Sequence, residues 1–342
     1  MKRFIYIAVM VVLFGFPGSS GTAQTPEYEI KFATVAPEGS TWMKVMREFD
    51  KQVREESNGR LGFRLYPGGS QGDERDVLRR IRTGQLQGGG FTGVGMGAIS
   101  SKVRILDSPF LFRSYDEVDL IYEKFGEQFE RDFYDNGYVL LGWAEIGFVY
   151  IFSNVPVREP ADIRGVKMWM WEGDPVAEAT FNALNVNPVP LSITEVLTSL
   201  QTRMIDAVYT SPMAALALQW FTRVRYMLDL PIVDSAGAAL VSRRVFDRLP
   251  DDLQEILLRN GRKFMAELTQ KSREENRESI DIIAEAGVEI LERPPQEEIR
   301  RYEELGAQAR RNLVGKLYSR DFLDAIESAI EDYRSQQAAQ SE

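Results

Sequence analysis

A chain with neither histidine nor cysteine lacks the side chains that most often do chemistry near neutral pH. Imidazole-based triads, H-E-x-x-H zinc sites and thiolate metal sites are excluded by composition alone. Carboxylates, Lys and Tyr remain for acid–base work. Two acid pairs, Asp73/Glu74 and Asp251/Asp252, could suggest a carboxylate-based hydrolase. Both pairs fall where helices are expected to begin, and the positive end of a helix dipole explains them without catalysis. The other residues whose type and spacing stand out are indoles. Trp169 and Trp171 lie two apart in the apolar run 166–171, so both rings leave the same face of a strand. Their chemistry is binding: broad apolar faces that either pack a core or hold a ligand.

Those indoles need a frame to position them. The extended run 148–153 passes through a Pro-punctuated turn at 155–160 and a polar turn, Asp162-Ile163-Arg164-Gly165, into 166–171. Two short apolar runs split by turn residues predict buried strands. Upstream, 28–35 predicts a strand, broken by Ala36-Pro37-Glu38-Gly39-Ser40. Ser40 or Thr41 then caps a helix from about Trp42, with Val45, Met46, Phe49 and Val53 on one face. A strand at 61–66, a helix at 73–83 and a strand around Phe91 complete a β-α-β-α-β order, which predicts a parallel sheet. An apolar crossing segment at 107–112, a helix at 116–136 and a strand at 138–143 follow. Downstream, helices at 175–184, 192–202 and 212–221 alternate with extended pieces at 187–190 and 205–209. That order predicts a second βαβ set over 148–235, with the chain returning at 237–242.

Within residues 249–286 the only proline is Pro250, at the very start, and the only glycine is Gly261. A helix of about 35 residues would be about 50 Å long, more than a small domain is wide. Its best use is as a strut across two lobes. Pro294-Pro295 opens further helices, including 322–333, and the polar tail 335–342 is expected to be disordered.

At 342 residues and 44% hydrophobic, the chain can build one large or two medium domains. A net charge of −10 and a pI near 5.0 argue against nucleic acid or an anionic membrane as the main partner. Lys2 and Arg3 precede an apolar run at 4–16 and small residues up to Ala23. That pattern predicts a secretory signal peptide over 1–23, cleaved near Ala23, and an exported protein of a bacterial periplasm. The run is too short to span a bilayer comfortably.

Several motifs, read in order, resemble the solute-binding subunit of tripartite ATP-independent periplasmic (TRAP) transporters, the DctP family. They are Phe32-Ala33-Thr34-Val35-Ala36-Pro37-Glu38-Gly39-Ser40, Ser57-Asn58-Gly59-Arg60-Leu61 and Tyr66-Pro67-Gly68-Gly69-Ser70-Gln71-Gly72-Asp73-Glu74-Arg75. Arg82-Thr83-Gly84, Ser108-Pro109-Phe110-Leu111-Phe112, Ala161-Asp162-Ile163-Arg164-Gly165-Val166-Lys167, Ser199-Leu200-Gln201-Thr202 and Ile205-Asp206-Ala207 continue the series. The resemblance implies an α/β, two-lobed periplasmic binding protein with hinge strands and a long lobe-spanning helix. It implies lobe I at 24–148 plus 237–275 and lobe II at 149–236 plus 276–334. It also implies a small-molecule ligand enclosed between the lobes, delivery to TRAP membrane subunits, and neither cofactor nor catalysis.

The chain departs from the family at the clamp. There the strand after the Asp–Gly turn usually reads G-[LV]-K-[LIM]-R, and its Arg forks onto a ligand carboxylate. Here the line is Gly165-Val166-Lys167-Met168-Trp169, and the position of a second Arg used by some members is Val149. A buried carboxylate without a partner would cost several kcal/mol, so a small dicarboxylate is disfavoured. The resemblance is to a branch without this Arg, associated with hydrophobic ligands and a tetratricopeptide-repeat partner. The expected ligand is apolar, aromatic or weakly polar, edged by Phe91, Met96, Phe148, Val149, Trp169, Trp171, Tyr209 and Met213. Tyr209 or Ser211 would orient it, and Trp42 is either pocket or core. Glu38 and Glu145 sit near the mouth and are expected to be solvated; either one buried beside the indoles would favour a cationic ligand. An organic monocarboxylate, or a binding protein outside the TRAP class, are the alternatives.

Overall fold

The computed structural model describes residues 25–340. The expected signal peptide, 1–23, lies outside the described residues. The first lobe is entered through β1 (Tyr28–Ala33), α1 (Thr41–Glu56), β2 (Leu61–Tyr66), α2 (Glu74–Arg82), β3 (Gly88–Thr92) and α3 (Gly93–Gly97), then α4 (Tyr115–Asp135) and β4 (Tyr138–Trp143). Local chemistry fixes the starts of these helices. The Ser40 hydroxyl accepts from the Met43 amide at 3.3 Å to cap α1, and Asp73 with Asp76 forms a capping box on α2. The apolar stripe Val45, Met46, Phe49 and Val53 is buried as the helical period requires.

The second lobe comprises β5 (Gly147–Ser153), β6 (Trp169–Trp171), α5 (Pro175–Ala183), β7 (Val189–Leu191), α6 (Val196–Gln201), β8 (Ala207–Thr210), α7 (Pro212–Ala217), β9 (Tyr226–Leu228) and β10 (Val233–Ser235). The chain then returns through β11 (Gly237–Ser242) and α8 (Arg243–Phe246) to α9 (Asp251–Glu285), β12 (Glu289–Leu291), α10 (Gln296–Asn312) and α11 (Arg320–Gln340).

The first sheet runs β2-β1-β3-β11-β4. Its β1 is parallel to β2 and β3, as the βαβ order demands, while the returning β11 lies antiparallel between β3 and β4. The second sheet corrects the expectation of a second parallel set. Its spine, β5, pairs antiparallel with β8, β9 and β10; within this sheet β9–β12 runs parallel, and β6–β7 form a separate parallel pair. The reason is the crossing: the chain enters this lobe on β5 and leaves on the adjacent β10, so entry and exit must oppose each other.

The strut α9 spans 35 residues and packs along α1 and β4 in the first lobe and along α7 in the second. Its one internal glycine has a packing cause: a Cβ on Gly261 would lie 2.7 Å from the Leu141 carbonyl oxygen. Two tail expectations are corrected. The C-terminal α11 packs against α4 of the first lobe rather than with lobe II. It also stays helical through Gln340, so 335–340 are ordered. Arg334 anchors it, donating to Glu117 at 2.7 and 2.8 Å and to the Leu111 carbonyl at 3.0 Å. Among the described residues no helix is long and apolar enough to cross a membrane.

The lobes are joined where β4–β5, β10–β11 and α9 meet. The two crossing strands bond to each other, Ala144 N to Gly237 O at 2.8 Å and Ile146 N to Ser235 O at 2.9 Å. Asn276 of α9 donates to Ile146 O at 2.8 Å and accepts from Met213 N at 2.9 Å, tying the strut to both. Beside this junction Asp234 is buried, and neither carboxylate oxygen has a hydrogen-bond partner. Burial first, then the neighbouring Glu145 and Asp107, push its carboxyl well above the usual range despite the pull of Arg273. A carboxyl raised by folding holds its proton in the native state and releases it on unfolding. Its stabilisation is therefore complete at acid pH and lost as pH rises through the native value. Chemical denaturation at pH 5, 7 and 9 should show Asp234→Asn gaining on the natural chain as pH rises, by up to about 1.4 kcal/mol per unit. Parallel pH profiles would show that Asp234 is ionised in the fold.

Candidate functional site

Between the lobes lies a cavity of about 220 Å³. Its first wall is built where β1 and β3 end, from Thr34–Pro37 and Phe91–Val94, with Trp42, Glu74, Arg104 and Asp107. The second wall comes from Met168, Trp169, Trp171, Asp174, Phe181, Tyr209, Ser211, Met213 and Trp220. Strand carboxyl ends are where α/β folds place ligands, because there loops replace helices and leave room. Val149, Ile151, Ile232 and Val233 from the crossing strands form the floor.

The second wall is an aromatic cluster. Trp169 stacks on Tyr209 with centroids 5.1 Å apart, meets Trp220 edge-on at 5.2 Å and lies 5.9 Å from Trp171. Its indole N–H is already used, donating to the Leu191 carbonyl at 3.1 Å. Only ring surface is therefore left for a ligand, and Trp169 is at once wall and core, with 2% of its surface exposed. The Tyr209 hydroxyl accepts from the Trp171 amide at 3.3 Å. Burial holds that phenol far above its ordinary range, so it stays neutral.

The polar end centres on Arg104, the one cation among the described residues lining the cavity. Its guanidinium donates to Asp174 at 2.6 Å across the cleft and pairs with Asp107 at 3.0 Å. Asp174 also caps α5, accepting from Val176 N at 2.9 Å. Asp107 accepts from Ala236 N at 2.9 Å, and burial pushes its carboxyl up to about 6 against the pull of Arg104. Gly93 permits this approach, since a Cβ there would sit 1.5 Å from the Asp107 carboxylate. Glu74 is buried in the same wall and accepts from Thr92 N, Gly95 N and the Thr92 hydroxyl at 2.7–3.1 Å. Burial nevertheless raises it to about 8.

The mouth is clasped shut. Asp73 accepts from the Trp171 indole N–H at 3.0 and 3.2 Å, from the Ser192 hydroxyl at 2.7 Å and from Ile193 N at 3.3 Å. Arg75 donates to the Gly173 carbonyl at 2.6 Å. All of these bonds run from the start of α2 in the first lobe to the second lobe. The acid pair that a helix dipole alone explained in the sequence is thus a cap, a latch and a buried strap.

Of the expected residues, the cavity is lined by Trp169, Val149, Trp171, Tyr209, Ser211, Met213, Phe91 and Trp42. Four expectations are corrected. Phe148 points away from the cavity into the first lobe's core, 4.8 Å from Tyr115, because strand alternation cannot put it on the face of Val149. Met96 is buried in that core within α3. Glu38 lies outside the cleft in an exposed pair with Arg47. Glu145, expected to be solvated, is buried and paired with Arg273 at 2.7 Å, away from the cleft. Sequence reasoning missed Arg104, Asp107, Asp174, Glu74 and Glu275. The i,i+3 spacing of Arg104 and Asp107 and the cap signature Asp174-Pro175 were the available signals.

A family model for bacterial extracellular solute-binding protein, family 7 (DctP), matches residues 32–311. The chain belongs to this family. This family 7 protein is 25% identical over 294 residues to the 2,3-diketo-L-gulonate-binding periplasmic protein YiaO of Escherichia coli (strain K12), covering 85% of this chain and 88% of that one. Its fold matches the sugar acid binding protein DctPAm from Advenella mimigardefordensis, solved with galactonate, with a TM-score of 0.84 at 20% identity over 90% and 99% of the chains. It also matches DctP7 of Bordetella pertussis, an extracytoplasmic solute receptor binding pyroglutamic acid, with a TM-score of 0.82 at 21% identity over 89% and 99%. Both the expected two-lobed α/β architecture and the expected family are therefore met.

Proposed function

We propose that this family 7 protein is the periplasmic receptor of a TRAP transporter, which closes its lobes on a small ligand with an apolar or aromatic body and presents it to membrane subunits. The observation that carries the reading is Trp169. It stands on the cavity wall at the position where the family pattern has its carboxylate-clamping Arg, its N–H is spent on Leu191, and only ring surface meets the cavity. The relatives named above take diketogulonate, galactonate and pyroglutamic acid, all of which carry a carboxylate. The departure proposed here concerns the ligand, while closure and delivery are shared. Hinge closure means that ligand shifts an open–closed equilibrium, and the closed form is the one read by the membrane subunits. A tetratricopeptide-repeat partner belongs to the same proposal, through the resemblance to the branch without the Arg.

The cavity suits a small molecule, and burying about 200 Å² of apolar ligand surface contributes on the order of 5 kcal/mol before ordering costs. Trp169→Phe tests the wall directly. It keeps an aromatic face but shrinks it and frees Leu191, so it should weaken the bound compound about tenfold in calorimetry while the protein still folds. Affinity unchanged within twofold would remove Trp169 from the ligand contacts.

A further inference from the structure

The charges around the cavity are lopsided. Four carboxyl groups, Glu74, Asp107, Asp174 and Glu275, line it against one guanidinium. Arg104 is shared between two of those carboxylates, so the ion cluster as a whole carries formal charge −1 and leaves no free cation for a ligand anion. Glu74 is occupied by three donors of the first wall. Glu275, reaching in from the strut, has its Oε2 buried without a hydrogen-bond partner, whereas Asp107 Oδ2 is already paired with Arg104 at 3.0 Å. The same cavity is lined by the rings of Trp169, Trp171 and Tyr209, whose π faces attract cations and repel anions.

We infer that the ligand of this cleft is an organic cation, with its apolar body against the indoles and its charged, hydrogen-donating head against Glu275. The inference rests on the receptor reading above and names the chemistry of the same cavity. A carboxylate ligand would have to pull Arg104 from partners 2.6 and 3.0 Å away, whereas an ammonium or amidinium head supplies the donor that Glu275 Oε2 lacks. The aromatic walls then act on charge as well as on area.

The test is calorimetry and thermal shift with probes matched in skeleton: benzylammonium, benzyl alcohol and benzoate, within a wider panel of paired amines, alcohols and acids. Amines should bind at least tenfold more tightly than their matched acids. Glu275→Gln should reduce amine affinity about tenfold more than alcohol affinity, and because its Oε2 has no partner to lose, the variant should fold. Tighter binding of acids than amines would overturn the cation assignment and leave the receptor reading standing. Absence of binding by every member of the panel would count against both.

Discussion

Replacing Asp73 with Ala should weaken ligand binding by about 100-fold while costing the folded chain only about 1 kcal/mol. The modest second figure is the loss of an N-cap on α2. The large first figure is the loss of the latch, because the same carboxylate accepts from Trp171, Ser192 and Ile193 across the mouth. Charge-assisted hydrogen bonds contribute about 1.5–3 kcal/mol each where a partner is stranded, and less when water can replace it. About 3 kcal/mol for the set is two tenfold steps in the ratio of closed to open forms. The chain has no native cysteine, so donor and acceptor dyes can be placed at exposed Lys51 and Arg164 without background labelling. Energy transfer between them should report a more open ensemble for Asp73→Ala. An unchanged distance distribution would mean that the clasp follows closure without driving it.

Arg273→Leu should be the most damaging substitution outside the cleft. The Arg273 guanidinium donates to Glu145 at 2.7 and 3.0 Å and to Asp119 at 2.6 and 2.9 Å, and lies 4.4 Å over the Tyr115 ring. Glu145 is 1% exposed, so removing its partner leaves a buried charge with nothing to offset it. Breaking such a pair costs about 3–5 kcal/mol, where replacing both members can be nearly neutral. Urea unfolding should therefore show a large loss for Arg273→Leu and recovery of most of it in the double variant with Glu145→Leu. A single-variant loss below about 1 kcal/mol would show that water reaches Glu145, and that the hinge is looser than its contacts suggest.

Features set by local sequence were legible in the chain, and those set by distant pairing were not. The strut was legible because an unbroken apolar period of that length has few other uses, and α1, α2, β1 and β2 were legible from caps and alternation. Strand direction in the second lobe was not, because β5 finds β8, β9 and β10 at long sequence separation, and nothing within 147–153 records which way its neighbours run. The aromatic wall was legible from Trp169, Trp171 and Tyr209. The polar end was not. Arg104 sits in a short turn next to an apolar segment, its partner Asp174 is in the other lobe, and a single charged residue reads as solvated until its burial is known. Phe148 was misassigned for a different reason: it and Val149 cannot face the same side of one strand. The tail was misjudged on polarity, although Ala and Gln continue a helix readily once Arg334 has anchored it.

Native mass spectrometry of the protein taken from its own periplasm, followed by chemical identification of what organic solvent releases, tests the central claim most directly. The expected result is a one-to-one complex with a small compound that has an apolar or aromatic body and no carboxylate. A sugar acid or dicarboxylate released at the same stoichiometry would contradict it, and would mean that Arg104 leaves its two aspartates to serve as an anion clamp.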